Sequence, residues 1–126
     1  MGRIYEEIEI EGKKVQVKID TASDFPLCLR REIIEELGLK DSGKRALLFR
    51  EENGKNIAEP TPIYLAEIKM RDCPAYVERV TESYGENILG HPVLQMFGVK
   101  IDEKTEKLTV ICPTSFSFGE LRGKME

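Results

Sequence analysis

One short stretch of the sequence places a carboxylate between an apolar run and several small residues. Residues 15–19 alternate β-branched and polar side chains and lead directly into Asp20-Thr21-Ala22-Ser23. Such alternation predicts a strand, and here the strand would end in an acid. Small residues behind the acid allow the backbone to pass close to another group, as a loop presenting a reactive carboxylate requires. The alternative is a strand-end acid that makes an Asx turn with Ser23.

Other nucleophiles and metal ligands lack the partners that their chemistry needs. Cys28 and Ser23 would each need a base to act as nucleophiles. The one histidine, His91, precedes Pro92, where a helix N-terminus is expected, and one histidine cannot make a metal site. The glycines are scattered singly, so no phosphate-binding loop is indicated. We therefore expect neither a metal nor a cofactor.

Composition limits the classes of protein to which the chain can belong. Its 126 residues predict one domain, and its net charge of −4 is spread without a basic patch, which argues against nucleic-acid binding. No apolar run approaches the ~18 residues of a membrane span, and no signal peptide is recognised. We expect a soluble protein without a membrane partner.

The cysteines predict the cellular compartment. Cys28, Cys73 and Cys112 are odd in number, widely spaced and surrounded by apolar residues or prolines. This pattern argues against a disulfide framework and against a zinc knuckle. We expect three buried free thiols, and hence a cytoplasmic protein.

The elements that position the acid are mainly β. We predict a hairpin over residues 3–20, a strand or extended connector over 24–29, and a helix from Arg30 to Leu37 that Gly38 ends. A long hairpin over 45–58 has an Asn-Gly tip. Pro60 and Pro62 should bar their own segment from a central strand.

The second half of the chain continues with short strands. We predict strands over residues 63–70 and 75–80, the apolar pair Ile88-Leu89 followed by Gly90, and a short helix that ends at Gly98. A final hairpin joins residues 99–102 to 108–111. The total is about seven strands and two short helices. Residues 1–112 form the predicted domain, and 113–126 a C-terminal tail or a dimer-interface strand.

A weak internal repeat relates the two halves of the sequence. In each half a strand enters an unusual loop, and a helix then ends in glycine flanked by apolar residues, as in Leu37-Gly38-Leu39 and Phe97-Gly98-Val99. Only the first half carries an acid in the loop. The sequence around Asp102 repeats that around Asp20, but charged residues follow Asp102, so we expect a surface turn there.

Together, Asp20-Thr21-Ala22-Ser23, a hairpin with a polar tip and Ile88-Leu89-Gly90 before a short helix resemble the retropepsin-like aspartic peptidases. These are the single-lobe branch of the pepsin clan, and the resemblance extends over residues 4–111. It implies a closed acid-protease barrel. The chain departs from the family pattern at Ala22, where glycine is usual, and in its acidic hairpin tip.

The resemblance assigns roles to particular residues. It makes Asp20 the catalytic carboxylate, while Thr21 holds the base of the loop against its mate and Ala22 and Ser23 complete the turn and hydrogen-bond the acid. Residues 50–57 would form a flap over the substrate. The remaining assignments are the second-loop core, Ile88, Leu89 and Gly90, and the flap residues Glu51, Glu52, Asn53, Gly54 and Lys55.

The implied chemistry needs two carboxylates that share one proton. The chain has one such motif, so the second acid would be Asp20 of a twofold-related copy. The resemblance thus predicts a homodimeric aspartic endopeptidase acting on peptides or unfolded proteins. The alternative is a catalytically silent dimer that keeps the fold as a peptide-binding or scaffold module.

Overall fold

The computed structural model of the protein describes residues 4–112, which form nine strands and two short helices. The fold is mainly β, as predicted. The described residues form nine strands, where about seven were expected. The elements are β1 Tyr5–Ile10, β2 Lys13–Asp20, β3 Leu27–Arg30, α1 Arg31–Leu37, β4 Lys40–Glu52, β5 Lys55–Met70, β6 Cys73–Ser83, β7 Ile88–Gly90, α2 His91–Met96, β8 Lys100–Asp102 and β9 Lys107–Thr109.

Seven of the strands form one sheet in the order β1-β2-β7-β3-β6-β5-β4. β1 also pairs with β5, through Glu9 opposite Lys69 and Ile10 opposite Ile68, so strands at distant places in this order meet. The predicted hairpin of β1 and β2 is confirmed, with Ile8 opposite Val15. As the alternation of side chains in β2 predicts, its apolar residues face the core: Val15, Val17 and Ile19 are all buried.

The two prolines lie outside the central part of the sheet, as predicted, but they do not divide the strand in two. β5 is one continuous strand through Pro60 and Pro62, which pair with Leu47 and Arg45 of β4. The first residue of β5 that pairs with β6 is Tyr64. Both prolines therefore lie where β5 has a neighbour on one side only, and a strand edge tolerates a missing N–H.

Both helices end as the internal repeat predicts. Gly38 and Gly98 adopt the left-handed conformation, with φ of 62° and 64°. In each case the next backbone N–H turns back onto the helix, from Leu39 to the Ile34 carbonyl and from Val99 to the Leu94 carbonyl. Such bonds satisfy carbonyls that the helix end leaves unpaired. Helix α1 begins at Arg31, one residue later than predicted.

The expectation of three free cysteines is wrong. Cys73 and Cys112 form a disulfide whose Cα atoms are 5.6 Å apart, although 39 positions separate them in sequence. Sequence spacing cannot reveal this pair, because the β5–β6 turn and the end of the described chain meet only in the folded protein. Cys28 is free and half-buried. The cytoplasmic expectation thus loses part of its basis.

The last described residues form a small second sheet. β8 and β9 pair only with each other, and the Asp102 carboxylate accepts hydrogen bonds from the backbone of Lys104 and Thr105. Asp102 is thus the surface-turn acid that the sequence predicts. The predicted tail or interface strand over 113–126 lies outside the described residues. Among residues 4–112, no helix is long and apolar enough to cross a membrane.

Candidate active site

Asp20 is the last residue of β2, and its position is fixed by a parallel pairing with β7. Asp20 lies opposite Gly90, and Ile19 lies opposite Leu89. The two segments that the sequence analysis singled out, separated by most of the chain, are therefore neighbours in the sheet. Ile19 and Leu89 are buried, whereas Asp20 is half-buried. This pairing carries the acid to the end of the strand, where its carboxylate faces away from the core.

The loop after Asp20 orients its carboxylate. The backbone N–H of Ala22 donates to Asp20 Oδ1 at 3.0 Å, and the N–H of Ser23 donates to the Asp20 carbonyl at 3.2 Å. An Asx turn is therefore present, but it is made with Ala22 and not with Ser23. The Ser23 hydroxyl donates to the Phe25 carbonyl at 3.4 Å. The loop thus holds one carboxylate oxygen with a backbone donor.

Ala22 occupies its position without backbone strain. It is not among the non-glycine residues with positive φ in the described chain. The methyl group at a position where the family pattern has glycine therefore needs no left-handed conformation. Ala22 is also exposed, as is Thr21, so both side chains are accessible beside the acid.

Gly90 allows the loop that follows the acid to lie against β7. A Cβ atom at this position would fall 1.8 Å from the Phe25 carbonyl oxygen. The Gly90 N–H donates to the Pro26 carbonyl, and the N–H of His91 donates to the Ser23 carbonyl, both at 2.9 Å. Since φ of Gly90 is −95°, the residue must be glycine for space and not for its dihedral angles.

One face of the sheet carries the acid together with a thiol and a hydroxyl. Cys28 lies opposite both Ile88 and Thr81, two rows of the sheet away from Asp20 and Gly90. Side chains two residues apart share a face, so Ile88 and Cys28 lie on the face of Asp20. The other face is core, where Leu27, Leu29 and Leu89 are fully buried.

Cys28 and Thr81 form a polar pair on this face. The Cys28 sulfur lies 3.4 Å from Thr81 Oγ1, and Thr81 is almost fully buried. Burial raises the pKa of the Cys28 thiol above its usual range, and the negative charge of Asp20 adds to this effect. The hydrogen bond with Thr81 acts in the opposite direction. The sequence analysis missed Thr81, since only strand register shows that it lies beside Cys28.

The predicted flap is the outer half of the β4–β5 hairpin. Its tip is a tight turn at Asn53 and Gly54, with φ of 52° and 77°, as the Asn-Gly pair predicts. Arg50 offsets part of the acidic charge, because its guanidinium lies 3.3 Å from a Glu52 oxygen and 3.1 Å from a Glu59 oxygen. All five of the predicted tip residues, Glu51, Glu52, Asn53, Gly54 and Lys55, are exposed.

A shallow groove begins at the acid loop and runs along α2. Its volume is about 590 Å³, and Thr21 and Ile111 both line it. Leu94, Val99 and Ile101 contribute much of its apolar surface. Asp20 is thus flanked by a polar pair in the sheet on one side and by an apolar groove at the loop on the other. Within residues 4–112, no cluster of three or more His, Cys, Asp or Glu side chains could hold a metal ion.

Comparisons with solved structures identify the fold. The EIAV protease complexed with the inhibitor HBY-793 is 20% identical, with a TM-score of 0.63 over 80% of this chain and 93% of that chain. The retroviral protease-like domain of Ddi1 from Leishmania major is 17% identical, with a TM-score of 0.50 over 93% of this chain and 99% of that chain. No protein-family model matches the sequence, and no curated protein sequence does so. The fold is therefore retropepsin-like.

Proposed function

We propose that the protein is an aspartic endopeptidase that acts as a homodimer on peptides or unfolded proteins, with Asp20 of each copy in the site. The observation that carries this proposal is the Asp20 carboxylate, held by the Ala22 N–H on a loop that lies against Gly90. The retropepsin-like fold supports it, since the EIAV protease shares that fold and is described as a protease.

The proposed reaction follows from two carboxylates that share a proton. Like charges about 3 Å apart cannot both ionise, so one acid stays protonated while the other is charged. The charged acid removes a proton from water as the water oxygen attacks the peptide carbonyl carbon. The protonated acid donates to the carbonyl oxygen. Transfer of a proton to the amide nitrogen then allows the C–N bond to break.

The loop around Asp20 suits these steps. The Ala22 N–H holds one carboxylate oxygen of Asp20. The same turn therefore determines the direction in which the other oxygen points. Such preorganisation reduces the rearrangement that the acid must make during the reaction. The proposal includes a closed barrel, which the pairing of β1 with β5 supports, and a flap formed by residues 50–57 over the substrate.

The test compares Asp20→Asn with the wild-type chain in hydrolysis of an unfolded protein across mildly acidic pH. We expect Asp20→Asn to lower the rate by about a hundredfold or more, because an amide can neither accept nor donate the required proton. Asp102→Asn is the matched control. Its acid follows the same Val-Lys-Ile sequence but lies in a surface turn, so its rate should change by less than about twofold.

Equal activity of Asp20→Asn and the wild type would contradict the peptidase proposal. The catalytically silent scaffold would then be the better explanation, since it needs the fold but not the acid. Assembly provides a second check, because the dyad needs two copies. Light scattering at micromolar concentration should give about twice the 14.4 kDa of the chain, and a monomer under all conditions would contradict the mechanism.

A further inference from the structure

The Cys73–Cys112 disulfide has no role in the proposed reaction, yet it lies at a distinctive place in the fold. Cys73 begins β6, immediately after the β5–β6 turn, and Cys112 is the last residue that the structure describes. The bond therefore ties the end of the described chain to the seven-stranded sheet. Its effect depends on what else holds that end in place.

Among residues 4–112, the other contacts that hold residues 108–112 are non-covalent. The β8–β9 pair is not part of the larger sheet. Arg71 donates from Nη1 to the Leu108 carbonyl at 2.7 Å, and the Cys112 N–H donates to the Phe97 carbonyl at 2.9 Å. Leu108 itself is buried. The disulfide is the one covalent link among these contacts.

The segment held in this way forms one wall of the groove beside the acid loop. Ile111 is 57% exposed, although its side chain lies so close to Gly98 that a Cβ there would be 3.2 Å from Ile111 Cβ. Ile111 and Thr21 line the same groove. The disulfide therefore positions an exposed apolar side chain in the groove beside the acid loop.

A second copy of the chain is the occupant that fits this surface. The proposed site is incomplete without a second Asp20, and a twofold axis beside Asp20 brings Thr21 and its groove against the same groove of the partner. Exposed apolar side chains such as Ile111 would be buried in that contact. Continuity between the groove and the acid loop thus favours a second copy.

We propose that the Cys73–Cys112 disulfide is a redox lock on this dimer surface. When oxidised, it fixes residues 108–112 as a wall of the groove and favours dimerisation. When reduced, the wall loosens and the dimer weakens while each copy stays folded. This inference rests on the proposed function for the location of the twofold axis, but its test measures assembly and not hydrolysis.

The chemistry is thiol–disulfide exchange with a dithiol reductant. Cys112 is half-buried and Cys73 is buried, so a thiolate of the reductant attacks the Cys112 sulfur first and releases the Cys73 thiolate. The second thiol of the reductant then attacks the mixed disulfide. This step frees Cys112 and leaves the reductant as a cyclic disulfide. Two electrons pass from the reductant to the protein, and the two cysteine sulfurs become thiols.

The experiment measures the dimer dissociation constant by analytical ultracentrifugation, with and without dithiothreitol. For the wild type we expect the constant to rise at least about tenfold on reduction. The variant Cys73→Ser/Cys112→Ser should show the raised constant under both conditions. Cys28→Ser is the matched control, because it removes the remaining thiol and keeps the disulfide, so it should respond to dithiothreitol as the wild type does.

A second variant keeps the disulfide and tests the surface itself. Ile111→Glu should raise the dissociation constant under oxidising conditions, because it places a charge in the apolar contact. Equal constants for oxidised and reduced wild type would overturn the proposal, and so would an oxidised protein that stays monomeric. Unfolding on reduction, seen by circular dichroism, would also overturn it, since the bond would then hold the whole fold. In Asp20→Asn, reduction should still raise the dimer dissociation constant. A failure of the peptidase proposal can therefore be distinguished from a failure of the redox lock.

Discussion

The absence of a side chain at Gly90 determines how closely the acid loop lies against β7. The neighbours of Gly90 are backbone atoms, which cannot rotate away as a side chain can. Phe25 and Ser23 contribute the nearest carbonyl oxygens, at 1.8 Å and 3.0 Å from an added Cβ. Any larger residue would push residues 23–26 away from β7 and break the bonds that hold the acid loop.

We predict that Gly90→Ala lowers the free energy of unfolding by about 3 kcal/mol or more, because the methyl group overlaps the backbone. Gly85→Ala is the matched control, since an added Cβ there has no atom within 4 Å and no positive φ is involved. Its effect should be within about 0.5 kcal/mol. Urea denaturation checks both variants. Equal stability of the two would contradict the close contact between the loop and β7.

The Cys28 thiol reports the charge of Asp20 without any need for turnover. The Asp20 carboxylate raises the pKa of Cys28, so replacing the acid should lower that pKa and increase the thiolate fraction at a given pH. We therefore predict that Asp20→Asn speeds alkylation of Cys28 by iodoacetamide by about twofold or more in the oxidised protein.

Two further variants complete the alkylation test. Thr81→Val should slow the reaction, because the lost hydrogen bond had lowered the pKa of Cys28. Asp102→Asn should leave the rate unchanged, since its carboxylate is held in the β8–β9 turn. An unchanged rate for Asp20→Asn would show that Asp20 and Cys28 do not share a face of the sheet.

The β4–β5 hairpin differs from the other elements in how little of it is buried. β4 contains no buried residue, and Leu47 and Phe49 are 59% and 72% exposed. In β5, buried residues begin at Thr61, close to where the strand meets β6. The outer part of the hairpin thus depends on its own cross-strand hydrogen bonds, which favours local opening.

We predict that backbone amides in residues 46–58 exchange with deuterium at least about a hundredfold faster than those of β2 and β7. Hydrogen-exchange mass spectrometry measures the difference directly. The β1–β2 hairpin is the internal control, because it has a similar tight turn but buries Ile8, Ile10 and Val17. Equal protection of the two hairpins would contradict local opening of the outer β4–β5 hairpin.

Short elements show which local signals in the sequence are reliable. Helix ends followed directly from Gly38 and Gly98, and the tight turn of the β4–β5 hairpin from Asn53-Gly54, because positive φ strongly favours glycine and is tolerated by asparagine. The prolines correctly indicated a position outside a central strand, because their missing N–H is tolerated where a strand has a neighbour on one side only. The sequence did not show that β5 continues through them into a part of the sheet with neighbours on both sides.

For the chain as a whole, the sequence predicted what depends on local periodicity and on recognised motifs. It placed Asp20 at the end of a strand and associated it with Gly90, and the two are indeed opposite each other. It could not predict contacts that depend on three-dimensional register. The Cys73–Cys112 disulfide and the Cys28–Thr81 pair are of this kind, since neither follows from spacing.

The disulfide also affects the stability of the molecule as a whole. Closing a loop between cysteines 39 positions apart lowers the entropy of the unfolded chain by an amount worth roughly 4 kcal/mol. A folded reduced state remains expected because the core does not depend on the bond. Fully buried side chains such as Leu27, Met70 and Phe97 come from many different elements.

The pairing of Asp20 with Gly90 has a consequence for the order of events during synthesis and folding. The two strands that build the acid loop lie far apart in sequence, so their contact is of high contact order and forms late. A nascent chain that ends before Gly90 contains Asp20 but lacks β7, the strand that holds the acid loop in place. If the protein is the proposed peptidase, the geometry that hydrolysis needs is therefore absent while the polypeptide is still emerging, when neighbouring unfolded segments would be most vulnerable to cleavage.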